Sequence, residues 1–303
     1  MLDKKNIILF LGSTWWGSDC KSLSHSFRKD GHVVFELNPE DYFPIRWEMT
    51  ILKVVRRLII SFIKRDYNKQ IKKLVNDSYL DFVIAFKGNL LSARTIKSIQ
   101  KKGISVYCFY PDVSFFNHGG EINSAIKVYD CIFTTKDFHL KDKYLRSNIK
   151  EMIVVNHGYD PFVHRKLDVD LENTMYNCDI SFVGAWSLKK ESIMEYICNE
   201  FNNLNINIWG PNWEKANGLA RKFWRGRSVR GDELILQYRL SKINLGILSG
   251  PEGKDNNSDS TTTRTWHIPA SNGFLIHEYS SDIENYFIID KEIVVYYDLS
   301  DLK

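Results

Sequence analysis

Short apolar runs, each closed by glycine, proline or a polar cluster, recur along this chain and alternate with longer stretches of helical periodicity. In the first half the runs 6–11, 31–37, 80–86, 104–110, 129–135 and 153–155 predict strands, and 18–29, 47–76 and 92–102 predict helices between them. Runs this short and this continuously apolar suit strands covered on both faces, as in a parallel sheet flanked by helices. The pattern then starts again. Strands are expected at 178–183, 206–210, 243–248, 274–276 and 292–297, with a helix ending near Phe201 and another over 232–241. A further helix should begin near Ser260 and end at Asn272-Gly273, and a short one should cover 282–287. Such alternation, run twice, predicts an α/β protein of two Rossmann-like domains, residues 1–160 and 161–303. The polar run Asp168–Asn173 supports a boundary between them. The first turn, Gly12-Ser-Thr-Trp-Trp-Gly17, lacks the G-x-G-x-x-G spacing of a dinucleotide fingerprint.

Composition agrees with two domains: 303 residues with 44% hydrophobic content can bury a large core. No apolar run approaches the roughly 18 residues of a membrane span. The sequence MLDKKNIILFLGS passes from charge directly into a strand, without a signal peptide's apolar segment and cleavage site. Cys20, Cys108, Cys131, Cys178 and Cys198 are scattered and form no C-x-x-C pair. That implies a reduced, cytoplasmic protein without a metal cluster. Net charge is +4 but unevenly spread: residues 1–160 hold 25 Lys+Arg against 17 Asp+Glu, about +8, and the remainder is about −4. The basic half is expected to meet an anionic partner, a membrane surface or an acidic glycan, and no nucleic-acid recognition motif is present. Residues 45–73 concentrate nine basic and two acidic side chains on one helix. It is either a peripheral contact with the inner face of a membrane or an ordinary helix with a solvated basic face.

The richest chemistry lies in Ser258–Tyr279. A buried strand leads through a polar loop with Ser260 and three threonines into a helix, then into another strand. Ser and Thr cap orphan amides, and a helix start favours an anion. Thr262 and Thr263 stand at that start, and Arg264 adds a forked cation suited to phosphate. The unit reads as a diphosphate site.

The run RTWHIPASNGFLIHEY, followed by an acidic-aromatic tail, resembles the C-terminal signature of CgeB-like glycosyltransferases, GT-B enzymes related to the group 1 families. Arg264, Pro269, Ala270, Gly273, Leu275 and Glu278 match, whereas His267 stands where the family usually has a ribose-binding Glu. The resemblance implies two Rossmann-like domains facing a cleft, a nucleotide-diphosphate sugar as co-substrate with no cofactor, and a glycan, lipid-linked or protein acceptor. Retention of anomeric configuration is implied by the group 1 relatives alone. His267, Asn272 and Gly273 join Thr262, Thr263, Arg264 and Glu278 as expected donor contacts. Gly184 and Trp186 would cover the diphosphate, with Lys189 or Lys190 neutralising it. Gly210 and Arg230 would lie near the base. On the acceptor side the resemblance points to Asp19, Asp112 and His118. Asp19 also reads, and more readily, as a helix-start residue complementing the dipole, and Asp112 equally as a turn former beside Pro111. Asn156-His-Gly-Tyr-Asp-Pro-Phe-Val-His164 is similar to the family's crossover segment, which implies an interdomain linker over 156–177, and in similar proteins a further helix begins where this sequence stops.

No triad, H-E-x-x-H or P-loop pattern occurs. Asp255 and Asp259 lack the glycine and terminal glutamate of a calcium loop, and Asp168-Val-Asp170 lies in the linker, so no metal ligand is expected. Two other classes stand beside a transferase: a non-catalytic nucleotide or glycan binder on the same scaffold, and a basic membrane-surface protein.

Overall fold

The computed structural model of the chain describes residues 5–43, 50–115, 120–167, 174–250 and 258–303, with 50–58 and 120 described by their backbone alone. Two compact units divide at Asn156 and His157. His118, the side chains of Arg56 and Arg57, the polar linker run 168–173 and Asp255 lie outside this description.

The first unit runs β1 (Ile7–Leu11), α1 (Asp19–Lys29), β2 (Val33–Leu37), α2 (Thr50–Asp77), β3 (Phe82–Phe86), α3 (Ala93–Gln100), β4 (Ser105–Tyr110), α4 (Gly120–Ala125), β5 (Cys131–Thr134), α5 (Lys143–Asn148) and β6 (Met152–Val154). Its strands are parallel in the order β2-β1-β3-β4-β5-β6, with Leu9 between Phe35 and Val83. Ile8, Leu9 and Phe10 are fully buried, which is why the first run carries no polar alternation. Leu9 packs with Tyr67, Ile71 and Val75 of α2 and Ile96 and Ile99 of α3, while Ile8 and Phe10 pack with Cys20 of α1 on the other face. The four-residue spacing of Ile63, Tyr67, Ile71 and Val75 gives α2 one buried stripe.

The second unit runs β7 (Cys178–Val183), α6 (Leu188–Glu200), β8 (Ile206–Trp209), α7 (Ala220–Phe223), α8 (Asp232–Leu240), β9 (Ser241–Gly246), α9 (Thr263–Ala270), β10 (Leu275–Glu278) and β11 (Val294–Tyr296). The parallel order is β11-β10-β9-β7-β8. Its core includes Phe182, Met194, Ile206, Ile208 and Trp213, with a second cluster of Tyr238, Ile268 and Leu275. The expectation of two parallel-sheet Rossmann-like units therefore holds.

Each sheet reverses its strand order once, between β1 and β3 in the first and between β7 and β9 in the second. In open α/β sheets the crevice at the carboxyl ends of such strands is where ligands bind. Helices that follow strands start at that same edge. The edge of the second sheet therefore collects the N-termini of α6, α8 and α9.

Candidate functional site

Arg264 occupies the reversal point of the second sheet. It is the second residue of α9, and one guanidinium nitrogen donates to Val183 O at the end of β7 (3.2 Å). The other donates to Ile247 O, one residue past β9 (2.6 Å). The fork thus spans the two strands whose adjacency defines the crevice, which a single ammonium could not do. Beneath it lies the Phe182 ring, 5.3 Å from the guanidinium carbon. Burial pushes its pKa down, and among the described residues no carboxylate forms an ion pair with it, although Asp259, Glu278 and the Tyr238 and Tyr296 phenols oppose that shift. Its Nε is buried without a hydrogen-bond partner. Of the five guanidinium donors the two carbonyls use two, leaving a cation that is fixed but not spent.

The loop entering α9 is pinned across this edge, Asp259 N donating to Ser249 O (2.9 Å) and Ser280 Oγ to Ser260 O (2.6 Å). Thr262 N donates to Thr265 Oγ1 (3.0 Å), and the Thr265 amide goes to Thr262 O (3.1 Å). The buried Thr262 hydroxyl is left without a full hydrogen bond, and Thr263 opens the helix beside it. Tyr296, at the end of β11, contributes a second buried hydroxyl without a partner. Its pKa is raised, chiefly by burial and then by Glu278, while Arg264 opposes. Tyr296 and Phe182 were not anticipated. Each sits at the end of an apolar run, where sequence does not distinguish a core ring from one lining a site.

The start of α6 supplies two further cations. Lys189 pairs with Glu278 at 2.6 Å, and the other Glu278 oxygen accepts from Leu248 N (2.9 Å). Lys190 is buried, with its ammonium 3.5 Å from Ser249 Oγ. Ser187 caps the helix, its side chain accepting from Lys190 N. Gly184 gives this loop room: a Cβ there would meet Arg264 Nη1 at 3.0 Å and the Phe182 ring at 2.8 Å. Gly210 is more constrained, since its φ is +139° and a Cβ would lie 2.0 Å from Gly184 O. The two loops are stitched by Gly184 N to Trp209 O (2.9 Å), Trp186 N to Pro211 O (3.0 Å) and Trp213 Nε1 to Gly184 O (2.9 Å). Trp186 also donates to Glu191 (2.7 Å) and carries the Lys215 ammonium 5.4 Å from its ring centroid.

His267 faces elsewhere. It is buried against His164, the ring centroids 3.6 Å apart, and bonds to the backbone of Gly158. In this chain α9 is thereby tied to segment 157–164 of its own unit. Asn272 and Gly273 lie at the opposite end of α9 from Arg264, about 12 Å away along eight residues. Asn272 adopts a left-handed φ of 60° and Gly273 lets the turn pass Tyr238 O, where a Cβ would come within 2.7 Å. Both therefore stop the helix instead of lining the carboxyl edge. Arg230 is exposed immediately before Gly231, whose φ of 54° starts α8. Next to it, Arg227 forms a two-nitrogen pair with Glu233 (2.8 and 2.7 Å) and lies over Trp209.

In the first unit a cavity of ≈ 350 Å³ opens at the β1/β3 reversal. Asp19, Glu40, Lys87 and Asn89 line it beside Trp15, Phe43 and Phe86. Asp19 is both the first residue of α1 and a wall of this cavity, so the dipole and site readings coexist. Asp112, just past β4, is held by Lys87 at 2.7 Å; Lys87 itself has a left-handed φ of 62°. Among the described residues, no group of three or more His, Cys, Asp or Glu side chains is placed to hold a metal ion.

Comparison with known proteins adds a fold and, over part of the chain, a likeness to one family. The family model described as glycosyl transferase-like matches residues 189–303, the stretch from Lys189 through the end of the chain. No curated protein matches the sequence. Among solved structures the chain is similar to AviGT4, a glycosyltransferase involved in avilamycin A biosynthesis. The TM-score is 0.57 at 12% identity, over 96% of this chain and 84% of that one. A glycosyltransferase from Rickettsia africae aligns at TM-score 0.54 and 13% identity, covering 91% and 79%. A UDP-N-acetylglucosamine 2-epimerase aligns at 0.52 and 10%, covering 93% and 82%. The shared fold is GT-B.

Proposed function

We propose that this chain is a metal-independent glycosyltransferase. In this reading the C-terminal unit holds a nucleotide-diphosphate sugar and the N-terminal unit binds a glycan, lipid-linked or protein acceptor. One observation carries the reading: Arg264, Lys189 and Lys190 gather with the starts of α6 and α9 at the reversal point of the second sheet. The glycosyl transferase-like match over the same residues supports it.

The chemistry follows from charge. Breaking the bond between the anomeric carbon and the diphosphate oxygen leaves negative charge on the departing group. Donors already fixed in place stabilise that charge, each contributing about 3–4 kcal/mol where it has been measured in other enzymes. Arg264 is held by carbonyls and needs no reorganisation. Lys189 must loosen from Glu278 or share it. The acceptor hydroxyl would lose its proton to a carboxylate; Asp19 lines the first unit's cavity, while Asp112 is already neutralised by Lys87. Retention of configuration is part of the proposal on the strength of the group 1 resemblance.

A non-catalytic binder on the same scaffold is the second reading, favoured by His267. That residue packs on His164 where a ribose-binding Glu was expected. Incubation with UDP- and GDP-sugars in excess chelator separates the two. Turnover-dependent nucleotide release supports transfer, and saturable binding without release supports the binder.

A further inference from the structure

We infer that the outer face of α2 and α3 is a docking surface for an anionic phospholipid bilayer. The positive excess of the first half concentrates there. Its carboxyl-edge cavity is instead lined by Asp19 and Glu40, with its Lys87 already paired to Asp112. On α2, Arg65, Lys69 and Lys72 follow one another at helical spacing, and so do Arg94 and Lys97 of α3 with its C-cap Lys101. The two rows face common ground. One groove is lined by Lys64, Arg65, Lys69, Lys72 and Arg94, and its neighbour by Lys72, Arg94, Lys97 and Lys101. Neither groove has an acidic residue in its lining.

Most of these charges are uncommitted. Lys69, Lys72, Arg94, Lys97 and Lys101 form no ion pair among the described residues, in contrast to Lys21, Lys87, Lys150 and Lys189, which all do. The opposite faces of both helices are apolar and buried, through Tyr67, Ile71 and Val75 on α2 and Ile96 and Ile99 on α3. The cationic rows therefore point away from the core. Beside them Phe62 is 60% exposed, three residues before Arg65 on the same side of α2, with the Arg65 guanidinium 5.5 Å from its ring. A row of cations flanked by an exposed aromatic ring matches an anionic headgroup layer with an apolar interior beneath it. No helix among the described residues is long and apolar enough to cross a membrane, so this contact would be peripheral. The surface belongs to the first unit and Arg264 to the second, and vesicle binding does not require sugar transfer.

The test is sedimentation of the full chain with phosphatidylcholine vesicles, with and without 30% phosphatidylglycerol. Binding is expected only to the anionic vesicles and should fall at least tenfold between about 50 and 300 mM salt, as screening predicts. The fourfold variant Lys69→Gln, Lys72→Gln, Arg94→Gln, Lys97→Gln should lose at least tenfold. A control that neutralises Lys143, Arg221, Lys222 and Lys291 should lose less than threefold, and Arg264→Ala should bind like wild type. Equal losses in the fourfold variant and the control would overturn the proposal. So would failure of wild type to sediment, or capture of a 20-nucleotide RNA in preference to the vesicles.

Discussion

His267 lies flat on His164, the ring centroids 3.6 Å apart and the planes 25° from parallel. Two imidazoles in that arrangement must not both be charged. Burial pushes the His267 pKa down to about 4, the nearby Arg264 charge adding to the effect against the bond to Gly158. His277, buried between the Thr265 hydroxyl and Glu278 O, is likewise lowered to about 4, chiefly by burial. Neutral rings are thus part of how α9 and β10 are locked together.

A pH dependence follows. Both histidines bind a proton more weakly in the folded chain than at the ordinary value of 6.5, so the unfolded state takes up protons first as pH falls. Their contribution is complete above about pH 6.5 and is lost between 6.5 and 4, on the order of 3 kcal/mol each. Melting followed by circular dichroism should show the midpoint falling through this window. His267→Gln should flatten the fall, and an unchanged slope in that variant would remove His267 from the account.

Arg264→Lys should be a poor substitute. A lysine keeps the charge but cannot bridge Val183 O and Ile247 O, so one carbonyl loses its partner at a cost of about 1–3 kcal/mol. Urea unfolding should show that loss, together with at least a tenfold weaker affinity for nucleotide diphosphate. Retention of both properties would mean that charge alone matters there.

Gly210→Ala tests the stitching of the two loops. A methyl group 2.0 Å from Gly184 O, at a φ of +139°, forces the β7 and β8 loops apart. We expect a stability loss of about 3 kcal/mol or more by denaturant titration, within the range of strained backbone and overpacking effects combined. Gly103→Ala offers a comparison. Its φ is also positive, at +79°, but nothing lies within 4 Å of a Cβ there, and its loss should be nearer 1 kcal/mol.

Glu278→Gln should release Lys189 from its ion pair. Both side chains are partly exposed, at 31% and 20%, so the pair itself contributes only about 1 kcal/mol or less. The larger effect should be on ligand affinity, since a freed ammonium can turn to phosphate. A tighter fit of nucleotide diphosphate, measured calorimetrically, is expected; weaker binding would instead make Glu278 a ligand of the nucleotide.

Much of the architecture was legible because buried parallel strands announce themselves. Ile7–Leu11 is apolar throughout, Ile206–Trp209 is buried throughout with only Asn207 polar, and Asn272-Gly273 marked the end of α9 by a turn that few other residue pairs could make. Side-chain destinations were not legible. Arg264 read as a phosphate cation, but its grip on two carbonyls depends on which strands are neighbours, a matter of topology that local sequence does not encode. His267 was placed at the ribose by its position in a motif, whereas it stacks on a histidine 103 residues earlier in the chain. Asp112 met Lys87 from a different strand for the same reason.

The central claim is that the guanidinium at the β7/β9 reversal recognises a diphosphate. Calorimetric titration of wild type and Arg264→Ala with UDP and UMP, then GDP and GMP, tests it most directly. For one base, wild type should prefer the diphosphate by at least tenfold, about 1.4 kcal/mol. In a folded Arg264→Ala variant that preference should vanish. Wild type binding mono- and diphosphate alike, or a preference that survives the substitution, would contradict the claim.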